Sequence, residues 1–371
     1  MVNFNKKSKL KQAQDMVQAA INITNIKIED LGKHTAKLYE SLITIGDLFD
    51  KISNVPSEQM IQYENLKEIR SDWKGQAEKI EKDYNKLAKK NLGAGAAGAG
   101  FGIAVFTMGP TASMGVATTF GLASTGTAIS ALSGAAATNA ALAWLGGGAL
   151  VAGGGGMAAG QAFLTMAGPV GWAIGAISLV ASSLLLWKNS GDKKRLGNLY
   201  MAISHRDVKS YELAIIEIIE RINRIIDESH MLDEAIELIK TFGLDYDMMT
   251  EKQQYTLGSY VNLMNSSTRL LTNPIKGLEA KFSEGDFDSF INMKNIDKNN
   301  SIYNDNKGLI ILLANLLYKI EIDDETKMIL RKSLRGNKDL LESMKISKKE
   351  FEFELMDMVD EALEFKYQNE E

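Results

Sequence analysis

The stretch that decides the fold lies in the middle of the chain, where residues 132–160 read LSGAAATNAALAWLGGGALVAGGGGMAAG. It belongs to a longer run, from Asn91 to Trp187, that contains no Asp, Glu, Lys, Arg or His, while all 89 formal charges lie outside it. Glycine and alanine supply 46 of these 97 residues. A soluble core normally alternates large apolar residues with charged ones that keep the outer face in water. We therefore expect this charge-free block to be covered by the rest of the protein, by other copies or by lipid.

The charge-free block is long enough for four membrane-spanning helices, since a bilayer core needs about 20 apolar residues per helix. The best candidate span runs from Val170 to Trp187, and a weaker one runs from Leu92 to Met108. Glycine costs a helix about 1 kcal/mol relative to alanine, and neither residue gains much on leaving water, so permanent insertion does not follow. Indole rings favour the membrane interface. The predicted interface anchors are Trp144, Trp172 and Trp187.

Small residues recur in the block at spacings of four, which would let helix backbones approach closely. The predicted helix-packing residues are Gly148, Gly156, Gly160, Gly171 and Gly175. Both ends of the block are basic, and the predicted basic flanks are Lys89, Lys90, Lys188, Lys193, Lys194 and Arg195. Under the positive-inside rule both ends stay on one side of a membrane and the number of spans is even, two or four. The alternative is that these cations only keep an aggregation-prone stretch in solution.

Helical periodicity marks the segments on both sides of the block. Before it, one heptad seam comprises Leu31, Thr35, Leu38, Leu42, Ile45, Phe49 and Ile52, and a second comprises Leu66, Ile69, Trp73, Ala77, Ile80, Tyr84 and Leu87. These seams predict two antiparallel helices of about 30 residues each, separated at Val55-Pro56 with Ser57 as the N-cap. After the block, a further stripe comprises Ile215, Ile219, Ile222, Ile226, Leu232, Ile236 and Ile239. Another helix is expected from Tyr255 to Leu271, closed by Asn273-Pro274.

The sequence therefore predicts an all-α fold. We expect an elongated bundle of long helices, a central Gly/Ala-rich hydrophobic helical hairpin as its head, and a small C-terminal helical unit. The predicted divisions are 1–90 for the N-terminal arm, 91–187 for the membrane-active segment, 188–284 for the second arm, 285–307 for a polar linker and 308–371 for a C-terminal domain. Ser347 and Glu350 have the spacing of a capping box before a last helix. The C-terminal domain is either a plain structural unit or a partner-docking module.

Residue types that carry chemistry are sparse, so we predict no catalytic residues, no cofactor and no metal site. Cysteine is absent, and His34, His205 and His230 stand far apart without ligand-spaced companions. The glycine runs lack the lysine of a phosphate-binding loop, and no small-molecule substrate is evident. The net charge of −5 argues against a nucleic-acid partner. Asp323, Asp324 and Glu325 are expected at a helix start, where negative charge suits the helix dipole.

The first ten residues, MVNFNKKSKL, lack the apolar core of a secretory signal. We therefore expect the protein to be made in the cytoplasm without a classical signal peptide and to associate with a membrane afterwards.

Long amphipathic arms around one charge-free, Gly/Ala-rich insertion resemble the layout of the α-helical pore-forming toxins of the cytolysin A and haemolysin BL type. The matching parts are the block itself and the arms from Ile26 to Lys90 and from Leu196 to Leu271. The resemblance implies a soluble bundle that stores a hydrophobic hairpin and releases it into a bilayer as protomers assemble. The implied partners are a lipid bilayer and further copies or related subunits.

Three functional hypotheses follow from these patterns. The first is a non-enzymatic, membrane-active helical protein that inserts the block when triggered or oligomerised, either as a toxin component or as a bacterial defence effector. The second is a constitutive membrane protein with two or four spans and a cytoplasmic helical bundle. The third is a soluble scaffold in which the block forms an oligomeric core.

Overall fold

The fold, taken from a computed structural model, consists of helices throughout the part of the chain that is described. The described residues are 9–95, 109–120, 190–294, 301–336, 348 and 354–370. Three helices precede or lie within the charge-free block: α1 (Lys9–Phe49), α2 (Ser57–Gly95) and α3 (Pro110–Phe120). Six follow it: α4 (Ser190–Ile239), α5 (Glu251–Thr272), α6 (Glu284–Met293), α7 (Ser301–Leu317), α8 (Asp324–Gly336) and α9 (Glu354–Gln368). The predicted all-α class is confirmed.

Four long helices, α1, α2, α4 and α5, form the elongated bundle. Helices α1 and α2 are antiparallel, because Phe49 stacks on Tyr63 at one level and Tyr39 meets Trp73, ring centroids 5.4 Å apart, at another. Contacts between α1 and α4 follow the same order along both helices, so these two helices are parallel. Ser41 on α1 donates to Asp233 on α4 at 2.8 Å, and just beyond the C-terminal ends of both helices Ser53 and Asp245 form an isolated parallel bridge.

Helix α5 completes the bundle by lying antiparallel to α4 and parallel to α2. Ser266 donates to Glu228 across the α4–α5 contact, and the Arg70 guanidinium lies 3.5 Å from the Thr268 hydroxyl across the α2–α5 contact. Gly243, with φ of 86°, ends the turn after α4 in a conformation that costs glycine little. As a result α2 ends and α4 begins at the same end of the bundle. The charge-free block connects these two helix ends.

The first predicted seam is confirmed, because each of its seven members is buried. The second seam is wrong at Ile69, which is 41% exposed, and Arg70 occupies the inward face instead at 2% exposure. Its members Tyr84 and Leu87 lie outside the residues whose side chains are described. The α4 stripe is likewise wrong at Ile219 and Ile226, which face solvent, while Ile218 and Ile225 lie inside. Isoleucines at neighbouring positions make either register look apolar, and only the packing against α1 and α5 selects one.

The C-terminal unit comprises α6 to α9 around α7. The α7 segment LIILLANLL is buried on every side, as expected of a helix that is apolar all round. Part of the range 285–307 predicted as a polar linker is helical, because Phe287, Phe290 and Ile291 give α6 a buried face. A capping box between Ser283 and Asp286 starts that helix. The abundance of Asn and Asp hides this pattern in the sequence.

A buried charge cluster fastens the C-terminal unit to α4. Asp207, 2% exposed, forms ion pairs with Arg206 at 2.8 Å and with Lys281 at 3.5 Å. The Arg206 guanidinium also donates to the carbonyl oxygens of Leu316 and Tyr318, at 2.9 and 2.7 Å, where the end of α7 leaves carbonyl groups without helical partners. Because buried charges are tolerated only when paired and hydrogen-bonded, this cluster fixes one arrangement of the two parts.

Candidate functional site

The candidate site is the place where one piece of the charge-free block, helix α3, docks into the bundle. Pro110 is the first residue of α3, a position where its fixed φ and missing N–H do no harm. The Ser113 amide donates to the Gly109 carbonyl at 3.1 Å, and the Ser113 hydroxyl donates to the Pro110 carbonyl at 2.8 Å. Residues 113–119 are buried without exception. Beyond its exposed first residues, a helix without charges is thus buried against α1, α2 and α5.

The closest contact at the site is a crossing of two glycines, Gly32 on α1 and Gly115 on α3. A Cβ atom on Gly115 would lie 2.1 Å from the Ile28 carbonyl oxygen, and one on Gly32 would lie 1.9 Å from the Thr111 carbonyl oxygen. Real Cβ atoms do not approach other atoms so closely, so no side chain larger than hydrogen fits at either position. The two backbones therefore touch in the manner of small-residue helix interfaces.

The C-terminal end of α3 is held by the turn that follows α5. The Ile275 amide donates to the Thr119 carbonyl at 2.7 Å, which satisfies one of the carbonyl groups left free at a helix end. Ile275 is itself buried, and Pro274 precedes it. The docked helix is therefore fixed at its middle by the glycine crossing and at its end by this hydrogen bond, which we call the latch.

The hydrophobic stabilisation of docked α3 is modest. Of the buried residues 113–119, only Met114 and Val116 carry large apolar side chains, and the others are Ser113, Gly115, Ala117, Thr118 and Thr119. Full burial of a Val or Met side chain is worth about 1.5–3 kcal/mol, so the two contribute roughly 3–6 kcal/mol as an upper bound. The Thr118 hydroxyl is buried without a hydrogen-bond partner among the described residues. The side chains of α3 therefore contribute a docking free energy small enough for the helix to leave the bundle and return.

A polar cluster closes the opposite end of the α1–α2 contact. The Tyr63 hydroxyl donates to Asp50 at 2.8 Å, and Lys67 forms an ion pair with the same carboxylate at 2.9 Å. Burial acts to raise the pKa of Asp50, but these hydrogen bonds outweigh it, so the pKa lies below its ordinary value of 3.8. Gly46 leaves room for Tyr63 and Arg70, since a Cβ there would lie 3.1 Å from the Tyr63 hydroxyl oxygen. Burial lowers the pKa of Arg70.

Most of the predicted site residues lie outside the described residues. These are the anchors Trp144, Trp172 and Trp187, the packing residues Gly148, Gly156, Gly160, Gly171 and Gly175, and the flanking Lys188. Lys89 and Lys90 belong to the last part of α2. Lys193 and Lys194 are exposed in the first turns of α4. Arg195 pairs with Asp323 at 2.8 Å and with Glu325, so this basic flank contacts the start of α8.

Gly32, Gly115 and Ile275 are the residues that sequence reasoning missed. An isolated glycine inside an otherwise regular helical pattern can indicate close packing, and Gly32 is such a glycine, beside the first member of the first seam. That signal predicts a close approach at Gly32 but does not identify the partner helix.

Among the described residues, no helix is both long and apolar enough to cross a membrane. At 11 residues, α3 is about 16 Å long. The same residues contain no group of acidic, histidine or cysteine side chains arranged to hold a metal ion. Comparison with protein-family models, with curated proteins and with solved structures found no match for this chain.

Proposed function

We propose that this chain is a non-enzymatic, membrane-active helical protein that stores part of its charge-free block against its own bundle and inserts the block into a bilayer when triggered or oligomerised. The observation that supports the proposal is the docked α3. This helix belongs to a charge-free run, yet its residues 113–119 are covered by α1, α2 and α5 of the same chain. A stored segment requires cover of this kind.

The strength of docking is compatible with release. A trigger that shifts a two-state equilibrium from 1:99 to 99:1 must supply about 5.5 kcal/mol, which is similar to the estimated contribution of the α3 side chains. Because α3 alone is shorter than the bilayer core of about 30 Å, insertion would require the charge-free residues beside it in sequence to enter with it. The covered helix is therefore proposed as one part of a longer inserting segment.

The glycine crossing also suits a helix that changes partners. Gly32 and Gly115 permit backbone contact with little dependence on hydrophobic side chains, and small-residue faces of this kind also join helices within lipid. In the resembling toxin architecture, release of the stored segment accompanies assembly of several copies. We accordingly propose a bilayer and further copies of this chain as the partners.

Dye release from liposomes tests this function. The wild-type protein is compared with Gly156→Lys and Ile177→Glu, each of which places one charge in the block at a position outside the sequence of α3. We expect the wild type to release dye and both folded variants to be inert, because a charge at the bilayer centre costs about 2.5–3.5 kcal/mol or more. Equal behaviour of all three proteins would contradict the proposal. Carbonate extraction distinguishes a constitutive membrane protein, which would resist extraction without a trigger, and a scaffold would release no dye under any condition.

A further inference from the structure

A polar cavity lies between α4 and α5, on the side of the bundle where the α5 C-terminus meets α4. Its volume is about 350 Å³, at the small end of the range for ligand pockets, about 300–1,000 Å³. The polar side chains that line it are Arg221, Arg224, Arg269, Asn262, Asn265, Asn273 and Ser266. None of the described residues that line it is acidic. The cavity thus collects three cations and four neutral hydrogen-bonding side chains.

The three guanidinium groups differ in how far they are already engaged. Arg221 donates from one nitrogen to the carbonyl oxygens of Leu270 and Asn273, each at 2.8 Å, which positions its planar group at the cavity wall. A guanidinium has five N–H donors, so those of Arg221 outside these two hydrogen bonds can still bind a ligand. Neither Arg224 nor Arg269 forms an ion pair with any residue that the structure describes. Two free guanidinium groups therefore stand beside one that is fixed in place.

Like charges at this spacing repel each other unless an anion joins them. Arg221 and Arg224 are three residues apart and share one face of α4, where like charges destabilise a helix. Burial and then the Arg224 charge lower the pKa of Arg221. The Glu217 and Glu220 charges oppose these two effects without cancelling them. Glu217 also accepts from the Gly277 amide at 3.1 Å, and Glu228 accepts from the Ser266 and Ser267 hydroxyls. An external anion would relieve this repulsion.

We propose that this cavity binds a phosphate group, as free phosphate or as the phosphate of a lipid headgroup. Guanidinium groups recognise phosphate oxygens through paired N–H donors, and three of them match a doubly charged tetrahedral anion. The amides of Asn262 and Asn265 add neutral donors at the rim. Binding here does not depend on the proposed membrane function, since it is measured on the intact chain without a bilayer.

The test compares two double variants with equal loss of charge. Arg224→Gln with Arg269→Gln removes the two free cations and leaves the structural Arg221 unchanged. Lys209→Gln with Lys252→Gln, at exposed positions on the same two helices, is the matched control. Calorimetric titration with inorganic phosphate at low salt should show saturable binding to the wild type and to the control, and at least a tenfold weaker affinity for the arginine variant. No saturable binding to the wild type, or equal weakening in both variants, would overturn the proposal.

The source of the phosphate is resolved by vesicle sedimentation. Vesicles of phosphatidylcholine containing phosphatidic acid are compared with vesicles of phosphatidylcholine alone, with and without inorganic phosphate as competitor. A lipid headgroup is the ligand if phosphatidic acid vesicles capture the wild type, free phosphate reverses this capture, and the arginine variant is not captured. The soluble anion is the ligand if free phosphate binds in calorimetry but the arginines make no difference to vesicle capture.

Discussion

Replacing Gly115 by alanine tests whether the glycine crossing holds α3 in its docked position. The new Cβ would lie 2.1 Å from the Ile28 carbonyl oxygen, whereas ordinary contacts begin at 3.4 Å, so α3 must move about 1.3 Å away from α1. Overpacking of this kind costs about 1–3 kcal/mol. Alanine also favours a helix over glycine by about 1 kcal/mol, which must be subtracted. Gly75→Ala supplies that correction, because Gly75 lies in α2 with nothing within 4 Å of its Cβ position.

Hydrogen exchange of the amides in residues 111–120 measures the undocked population directly. Relative to Gly75→Ala, Gly115→Ala should raise the exchange rate of these amides about 5- to 150-fold, which corresponds to the 1–3 kcal/mol penalty. Gly32→Ala should act in the same direction, since its Cβ would lie 1.9 Å from the Thr111 carbonyl oxygen. If Gly115→Ala exchanges at the same rate as Gly75→Ala, the docked helix is not held by this crossing and the reasoning fails.

Three further predictions concern stability. Asp207→Ala leaves the largely buried cations Arg206 and Lys281 without their carboxylate and should lower the free energy of unfolding by about 3 kcal/mol. The exposed Asp227→Asn on the same helix should have little effect, and urea midpoints of the two variants decide the question. The folded-state pKa of Asp50 is depressed, so its contribution to folding stability is complete above the ordinary pKa of 3.8 and is lost as the pH falls through the lower folded-state pKa. In thermal melts, Asp50→Asn should therefore reduce stability at pH 7 but not at pH 2. Arg70→Met should raise the melting temperature, because the Arg70 side chain is buried without a carboxylate in ion-pair contact among the described residues and its Nε has no hydrogen-bond partner there; a lower melting temperature would contradict this.

The helical bundle could be predicted from sequence because its apolar residues repeat over many turns. Leu38, Leu42 and Ile45 have a spacing that only a helix can bury on one face, and all three are fully buried. Apolar periodicity predicted that Ile69 would be buried. This was wrong, because the neighbouring Arg70 is the residue that faces the interior. Arg70 lies inside because α1 presents Gly46 opposite it and α5 presents Thr268. Such complementarity between distant segments is not visible in local periodicity.

The docking of α3 could not be predicted for the same reason. The sequence indicated that the charge-free block must be covered, but the composition of residues 110–120 does not reveal which helices cover it. The contact depends on Gly32 and Gly115, which are 83 positions apart in the chain. Local sequence does favour a helix start at Pro110, because proline suits the first turn of a helix. The predicted tryptophan and glycine sites in residues 144–187 stay predictions.

A covalent tether across the latch tests most directly whether α3 must leave the bundle for the protein to act on membranes. The chain contains no cysteine, so Thr119→Cys with Ile275→Cys introduces the only thiols. The 2.7 Å hydrogen bond between these two backbones brings the residues into the range that a disulfide or a short bismaleimide spans. The tethered protein should release no dye from liposomes, and reduction of the disulfide should restore the release shown by the untethered protein. Equal dye release by the tethered and reduced forms would contradict the proposed release of α3.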